Sequence, residues 1–137
     1  MEPLELLRAK IAGFPGYDGE HERRLSDEYV RAYLGEALAD LEARHVLPDD
    51  LQQRLDDLLL RIEFADSGAF AGHHIEASND GASDGGAVAA ADAATVELAD
   101  RAAAVDSQSA PRYFDDVTAI LNQRDAAIRA AMLKLSR

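Results

Sequence analysis

The spacing of apolar residues constrains the fold of this chain more than any other feature of its sequence. Apolar side chains recur every three or four positions through most of the 137 residues, a spacing that places them on one face of a helix. Nowhere do four or more residues alternate between apolar and polar, as a half-buried strand would require. The sequence therefore predicts an all-α protein.

Residues that begin and end helices divide this pattern into five segments. A short first helix begins at Pro3 and ends before Gly13, because proline suits a first turn and glycine a helix end. Longer helices are predicted at about 19–45, 48–66 and 87–106, and from Pro111 almost to the C-terminus. Since short connections join antiparallel neighbours, we expect an antiparallel four-helix bundle with a short extra N-terminal helix.

The predicted helices differ in the apolar and charged side chains that they present. The helix at 19–45 carries the longest apolar stripe, formed by Leu25, Tyr29, Val30, Tyr33, Leu34, Ala37, Leu38 and Leu41. The helix at 48–66 pairs Asp50 with Arg54 and Asp57 with Arg61 at a spacing of four on its outer side. The helix at 87–106 is rich in alanine, so we expect close approach to its neighbours but little buried surface.

Two glycine-containing segments are interpreted as connections within a single domain, 1–137. In GFPGYDGEHERR, at 13–24, Gly13 ends a helix, Phe14 and Tyr17 attach the turn to the core, and Asp18 is the predicted N-cap of the next helix. Small polar residues and glycines predict a flexible loop at about 72–86.

The charge balance argues against nucleic acid as a direct partner. Aspartate and glutamate number 26 against 14 lysines and arginines, a net charge of −12. Because nucleic-acid affinity depends on cations that displace counterions from phosphates, such a surface repels the ligand. The acidity reflects either a solvated surface suited to a salt-rich habitat or a surface that docks on a basic partner.

Other compositional features bound the location and the chemistry. The chain lacks cysteine, which removes disulfides and thiolate metal sites. The stretch MEPLELLRAKIAG is interpreted as neither a secretory signal nor a membrane anchor, and no apolar run approaches the roughly 18 residues of a membrane-spanning helix. We therefore expect a cytoplasmic protein without a transmembrane segment.

Metal ligation is the one cofactor chemistry for which the sequence offers candidates. Glu42 and His45 form a Glu-x-x-His pair near the end of a helix, and a di-iron bundle needs two such pairs. His73 and His74, followed by Glu76, are the other candidates, because imidazole and carboxylate ligate zinc. No hydrolytic triad or phosphate-binding loop occurs, so we predict no catalytic residues and no bound cofactor.

A network of charged side chains is predicted beside the core. Arg24, Asp27 and Arg31 lie near one face of the second helix, so ion pairs among them are geometrically possible. Arg124 falls on the inward side of the last helix and must either reach solvent or meet a carboxylate. We expect it to pair with Asp27 or Asp66, which would fix the register of the helices.

Part of the sequence resembles a group of known proteins. The run PGYDGEHERRLSDEYVRAYL, followed by RIEFADSGAF, is similar to the core of small uncharacterised prokaryotic helical proteins. In these a Pro-Gly-Tyr turn precedes a helix with an Arg-Arg, Asp and Arg pattern; the matching residues are Pro15, Gly16, Tyr17, Arg23, Arg24, Asp27, Arg31, Arg61, Ala65, Gly68 and Phe70. The resemblance implies a discrete helical domain and no particular activity.

Three functional hypotheses follow from these patterns. The first is a non-enzymatic helical interaction or scaffold protein that self-associates or binds a protein partner. The second is a helical bundle that binds a metal or a small ligand through Glu42, His45, His73 and His74. The third is an antagonist whose acidic face covers a basic partner protein, with binding that weakens as salt increases.

Overall fold

The computed structural model describes residues 2–64 and 86–135, with side chains as far as residue 131. Five α-helices occupy these ranges: α1 (Pro3–Lys10), α2 (Glu20–Arg44), α3 (Asp49–Glu63), α4 (Gly86–Arg101) and α5 (Ala110–Leu135). A short 3-10 helix, Ala102–Ala104, follows α4, and the described ranges contain no strand. The all-α prediction is confirmed. The predicted loop at about 72–86 lies outside the described residues, apart from Gly86, the first residue of α4.

The start of α2 differs from the sequence-based prediction. Its N-cap is Gly19, in extended conformation and without a side-chain cap, so the prediction that Asp18 caps the helix is wrong. A Cβ atom at residue 19 would collide with the carboxylate of Glu22. That carboxylate, in the first turn, lies at the positive end of the helix dipole, where a negative charge is favourable. The acidic residue that stabilises the start of α2 is therefore Glu22, within the helix, and not Asp18, which precedes it.

Two clusters of buried side chains form the core. The first joins α2, α3 and α5 with the end of α4, and its fully buried members include Leu34, Leu38, Leu41, Leu55, Phe114 and Val117. The second joins α1 and the segment that follows it to α2, α4 and α5, and it includes Leu7, Phe14, Tyr17, Val30, Val96 and Ile128. The apolar faces of all five helices are therefore used.

The alanine-rich helix α4 lies against more helices than its composition suggests. It contacts α1, α2 and α5, and it buries side chains around most of its circumference: Val88, Ala89, Ala91, Asp92, Ala93, Thr95, Val96, Leu98 and Ala99. Many positions of α4 are therefore buried although most of its side chains are small, because small side chains allow neighbours to approach on several sides at once. One charged residue, Asp92, is carried inside with them.

The stripe predicted on α2 is correct only from Val30 onwards. Val30, Leu34 and Leu38 are buried, whereas Leu25 is half-buried and Tyr29 is 39% exposed. In the N-terminal half the inward positions hold Arg23, Ser26 and Asp27 instead, and all three are buried. The buried face of α2 thus begins with these three polar residues, whose contacts are described below.

The ion pairs predicted within α3 are replaced by pairs between helices. Arg54 contacts Asp115 at 2.7 Å and Arg61 contacts Asp125 at 3.0 Å, and both acceptors lie on α5. An arginine side chain reaches a neighbouring helix as easily as the next turn of its own, and only the packing decides between the two. These pairs therefore tie α3 to α5.

Candidate functional site

The segment between α1 and α2 is a tight turn that presents a tyrosine to the core. Gly13 and Gly16 have φ angles of +76° and +88°, which favour glycine. The Phe14 and Tyr17 rings are buried and pack edge to face, with centroids 5.8 Å apart. Ser26 on α2 donates a hydrogen bond of 2.6 Å to the carbonyl of Gly16. The turn is thus fixed to α2, and the Tyr17 hydroxyl points inward.

A buried polar network begins at this hydroxyl. Tyr17 Oη donates to Asp92 Oδ2 at 2.5 Å, and Arg124 Nε donates to Asp92 Oδ1 at 2.5 Å. Nη2 of Arg124 donates in turn to Asp27 Oδ1. The carboxylate of Asp27 also accepts from Arg31 Nε at 3.0 Å, and Arg31 Nη1 donates to the carbonyl of Ile62 at 3.1 Å. The network therefore links the turn, α2, α3, α4 and α5.

The charges within the network are balanced. Two carboxylates, Asp27 and Asp92, face two guanidinium groups, Arg31 and Arg124, so the ionised set has no net charge. Burial disfavours the cation of Arg124, but Asp92 and Asp27 more than offset this and raise its pKa. Burial raises the pKa of Asp92, against the opposing effect of Arg124. Such a balanced set avoids the large penalty of a lone buried charge.

Alkaline pH should weaken the fold through its tyrosines. Burial raises the pKa of Tyr113 to about 12, and the hydrogen bond to Asp100 raises the pKa of Tyr33 to about 12. Burial also raises the pKa of Tyr17. A tyrosine in the unfolded chain ionises near pH 10, so stability that is complete below pH 10 should be lost as the pH rises towards 12. Urea unfolding on either side of pH 10 measures this loss, which Tyr113→Phe should reduce. Equal urea midpoints for the parent protein below and above pH 10 would contradict this prediction.

The structure brings together three of the four residues predicted to form a polar network. Asp27, Arg31 and Arg124 are joined as described, and Arg124 contacts Asp27, one of its two suggested partners. The other suggested partner, Asp66, lies outside the described residues. The inclusion of Arg24 was wrong, because Arg24 is exposed on α2 and lies 3.4 Å from Glu20.

Sequence reasoning missed two members of the network and the buried neighbour of Arg24. Tyr17 was assigned only a packing role, and Asp92 was not considered. Arg23 is buried, and its Nη1 donates to the carbonyls of Tyr17 at 2.8 Å and Asp18 at 3.3 Å. The available signal for Asp92 was its place as the one charged residue of the run AVAAADAATV, at 87–96, because aspartate is rarely buried without a partner.

Of the four metal candidates, only Glu42 and His45 lie within the described residues. Glu42 is exposed, and its Oε2 accepts a hydrogen bond of 2.9 Å from Gln52. His45 is half-buried, and its Nε2 has no hydrogen-bond partner in the described part of the chain. Across residues 2–64 and 86–131, no three side chains of His, Cys, Asp or Glu are grouped to hold a metal ion. His73 and His74 lie outside the described residues, so their metal binding stays a prediction.

A cleft opens beside the network between α2, α3 and α5. Its volume is about 420 Å³. Arg124 and Arg31 of the network line it, together with the Asp27 carboxylate that holds them. Three further charged side chains line it as well, namely Arg61, Asp125 and Arg129. The charged network thus has one side that faces an open space.

Comparisons with known proteins do not assign the chain to a family. No protein-family model matches it, and no curated protein or solved structure is significantly similar to it. The resemblance to small prokaryotic helical proteins therefore stays a prediction. In the described part of the chain, none of the helices has both the length and the apolar character needed to cross a membrane. The class defined by the fold and the site is an all-helical protein with a charged internal network.

Proposed function

We propose that this chain is a non-enzymatic helical interaction protein that self-associates. The observation that carries the proposal is a pair of exposed apolar side chains at the C-terminal end of α3. Leu60 is 52% exposed and Phe64, immediately after the helix, is 74% exposed. The two are four residues apart and so lie on neighbouring turns of one helical face. Large apolar side chains grouped on a surface are typical of a site that contacts another protein.

The contacts of the internal network support a structural rather than a catalytic role for its charges. Both oxygens of Asp92 and both oxygens of Asp27 accept hydrogen bonds from protein groups. A general base needs a carboxylate that is within reach of a substrate proton. Because these carboxylates are engaged by Tyr17, Arg31 and Arg124, their role is to hold the elements together.

We also propose that the helices form one domain, an antiparallel four-helix bundle of α2, α3, α4 and α5 with α1 packed across it. Contacts of α2 with α3 and α4, and of α5 with α3 and α4, support this arrangement. The four-residue connection 45–48 supports antiparallel packing of α2 and α3. An acidic surface on such a bundle would limit assembly to the faces where apolar groups are exposed.

The substitution Leu60→Ser should weaken self-association. It removes an exposed apolar side chain from the proposed contact without disturbing a buried residue, so the fold should be unchanged. Sedimentation velocity over a wide range of protein concentration should show the assembly shifting towards the monomer. Val46→Ser is the matched control, because Val46 is 98% exposed and lies in the connection between α2 and α3. A parent protein that is monomeric at every concentration would contradict the proposal.

A further inference from the structure

We propose that the cleft between α2, α3 and α5 binds a small organic anion, with a carboxylate or phosphate group attached to an apolar body. This inference goes beyond the proposed self-association and does not depend on it. It rests on the charge of the cleft, on guanidinium donors that the network leaves free, and on the apolar surface beside them.

The cleft is positive in a protein that is otherwise strongly acidic. Among the described residues that line it are four arginines and two aspartates, an excess of two positive charges, whereas the whole chain carries −12. Including Asp92, which lies behind Arg124, still leaves the region positive. An anion approaching this protein is therefore repelled by most of the surface and attracted here.

The network also leaves guanidinium donors of two cleft arginines without a partner among the described residues. Nη1 of Arg124 and Nη2 of Arg31 make no hydrogen bond with any described residue, although Arg124 is only 3% exposed. Asp27 contacts both arginines and so fixes their orientation before a ligand arrives. Arginine forks match the geometry of carboxylate and phosphate oxygens, and donors fixed in advance lose little entropy on binding.

The remaining walls of the cleft favour a ligand with an apolar part. The described residues that form them are Ile62, Phe64, Leu121 and Ile128. The volume of about 420 Å³ lies within the range of roughly 300–1,000 Å³ that is usual for small-molecule sites. A bare inorganic anion would leave these walls exposed to water, so an apolar body should add to the affinity.

Arg129 gives the site an arginine near its opening that can be tested without disturbing the fold. It is exposed and forms no ion pair with another described residue, whereas Arg61 is held by Asn122 at 2.8 Å and Asp125 at 3.0 Å. Arg129 is thus available to a ligand. Arg112 is also exposed, lies on the same helix outside the cleft, and has no ion pair in the described chain. It provides a control with the same change of charge.

Calorimetric titration of the full chain with four probes tests the proposal: hexyl phosphate, hexanoate, inorganic phosphate and hexyl glucoside. At least one hexyl anion should bind at a single site, more tightly than inorganic phosphate, and the neutral glucoside should not bind. The ratio of the two hexyl affinities identifies the preferred head group. Arg129→Gln should weaken binding of the preferred anion by about fivefold, the size expected for one exposed charge contact, and Arg112→Gln should leave it unchanged.

Three results would overturn the proposal: no binding of either hexyl anion, glucoside binding as tight as that of the anions, or equal effects of Arg129→Gln and Arg112→Gln. If inorganic phosphate bound as tightly as hexyl phosphate, the inference that the ligand has an apolar part would be overturned. Leu60 does not line the cleft, so Leu60→Ser should retain anion binding. A failure of self-association and a failure of anion binding are thereby distinguished.

Discussion

Replacing Arg124 by methionine should lower the free energy of unfolding by about 3–5 kcal/mol. Methionine fills part of the same volume but supplies no charge and no hydrogen-bond donor. The carboxylates of Asp27 and Asp92 would then remain buried near each other without the cation that now contacts both. Removing one partner of a buried ion pair is strongly destabilising for this reason. Urea unfolding followed by circular dichroism measures the change.

Arg129→Met is the matched control for this substitution. It makes the same change on the same helix at an exposed position without an ion pair in the described chain, so its effect should stay within about 0.5 kcal/mol. Should Arg124→Met fail to fold, Arg124→Lys keeps the charge and should recover a folded but less stable protein. A loss below about 1 kcal/mol for Arg124→Met would show that the network is not a major source of stability.

The second large effect is expected from Phe114→Ala, which should lower the free energy of unfolding by about 3–5 kcal/mol. Phe114 has no exposed surface and lies in the cluster that joins α2, α3 and α5. The Arg54 guanidinium lies 5.7 Å from the centre of its ring, and the Tyr113 ring lies 6.3 Å away. Truncation would lose this packing and leave a cavity that the surrounding helices can fill only in part.

Phe64→Ala provides the comparison for the Phe114 substitution. Phe64 is 74% exposed, so its truncation should change the stability by no more than about 0.5 kcal/mol. Thermal or urea unfolding of both variants gives the difference directly. Similar losses for the two variants would contradict the assignment of Phe114 to the centre of the core.

The helices could be predicted from the sequence because their signals are local. The apolar spacing of Leu34, Leu38 and Leu41 and the proline before α3 each act within one or two turns. The inner face of α4 could not be found in this way, since alanine is small enough to be buried on any side. Asp92 was missed for that reason.

The polar site could be predicted only where a charged residue on an inward face required a partner of opposite charge. Arg124 stood out because an arginine on an inward face needs an acid, and Asp27 was available near the face of α2 that contains Arg31. Which arginine of the Arg23–Arg24 pair turns inward depends on the rotation of α2, which tertiary packing determines. The cleft could not be predicted from the sequence, because Arg61 and Arg129 line it together only after α3 and α5 have packed.

The sequence separations within the network bear on the kinetics of folding. Asp27 and Arg124 are 97 positions apart, and Tyr17 and Asp92 are 75 apart. Closing such long loops carries an entropic penalty that must be met before the contacts form. These bonds should therefore be largely absent from the transition state, and interactions absent there slow unfolding while leaving the folding rate almost unchanged. The network should consequently lengthen the lifetime of the native state.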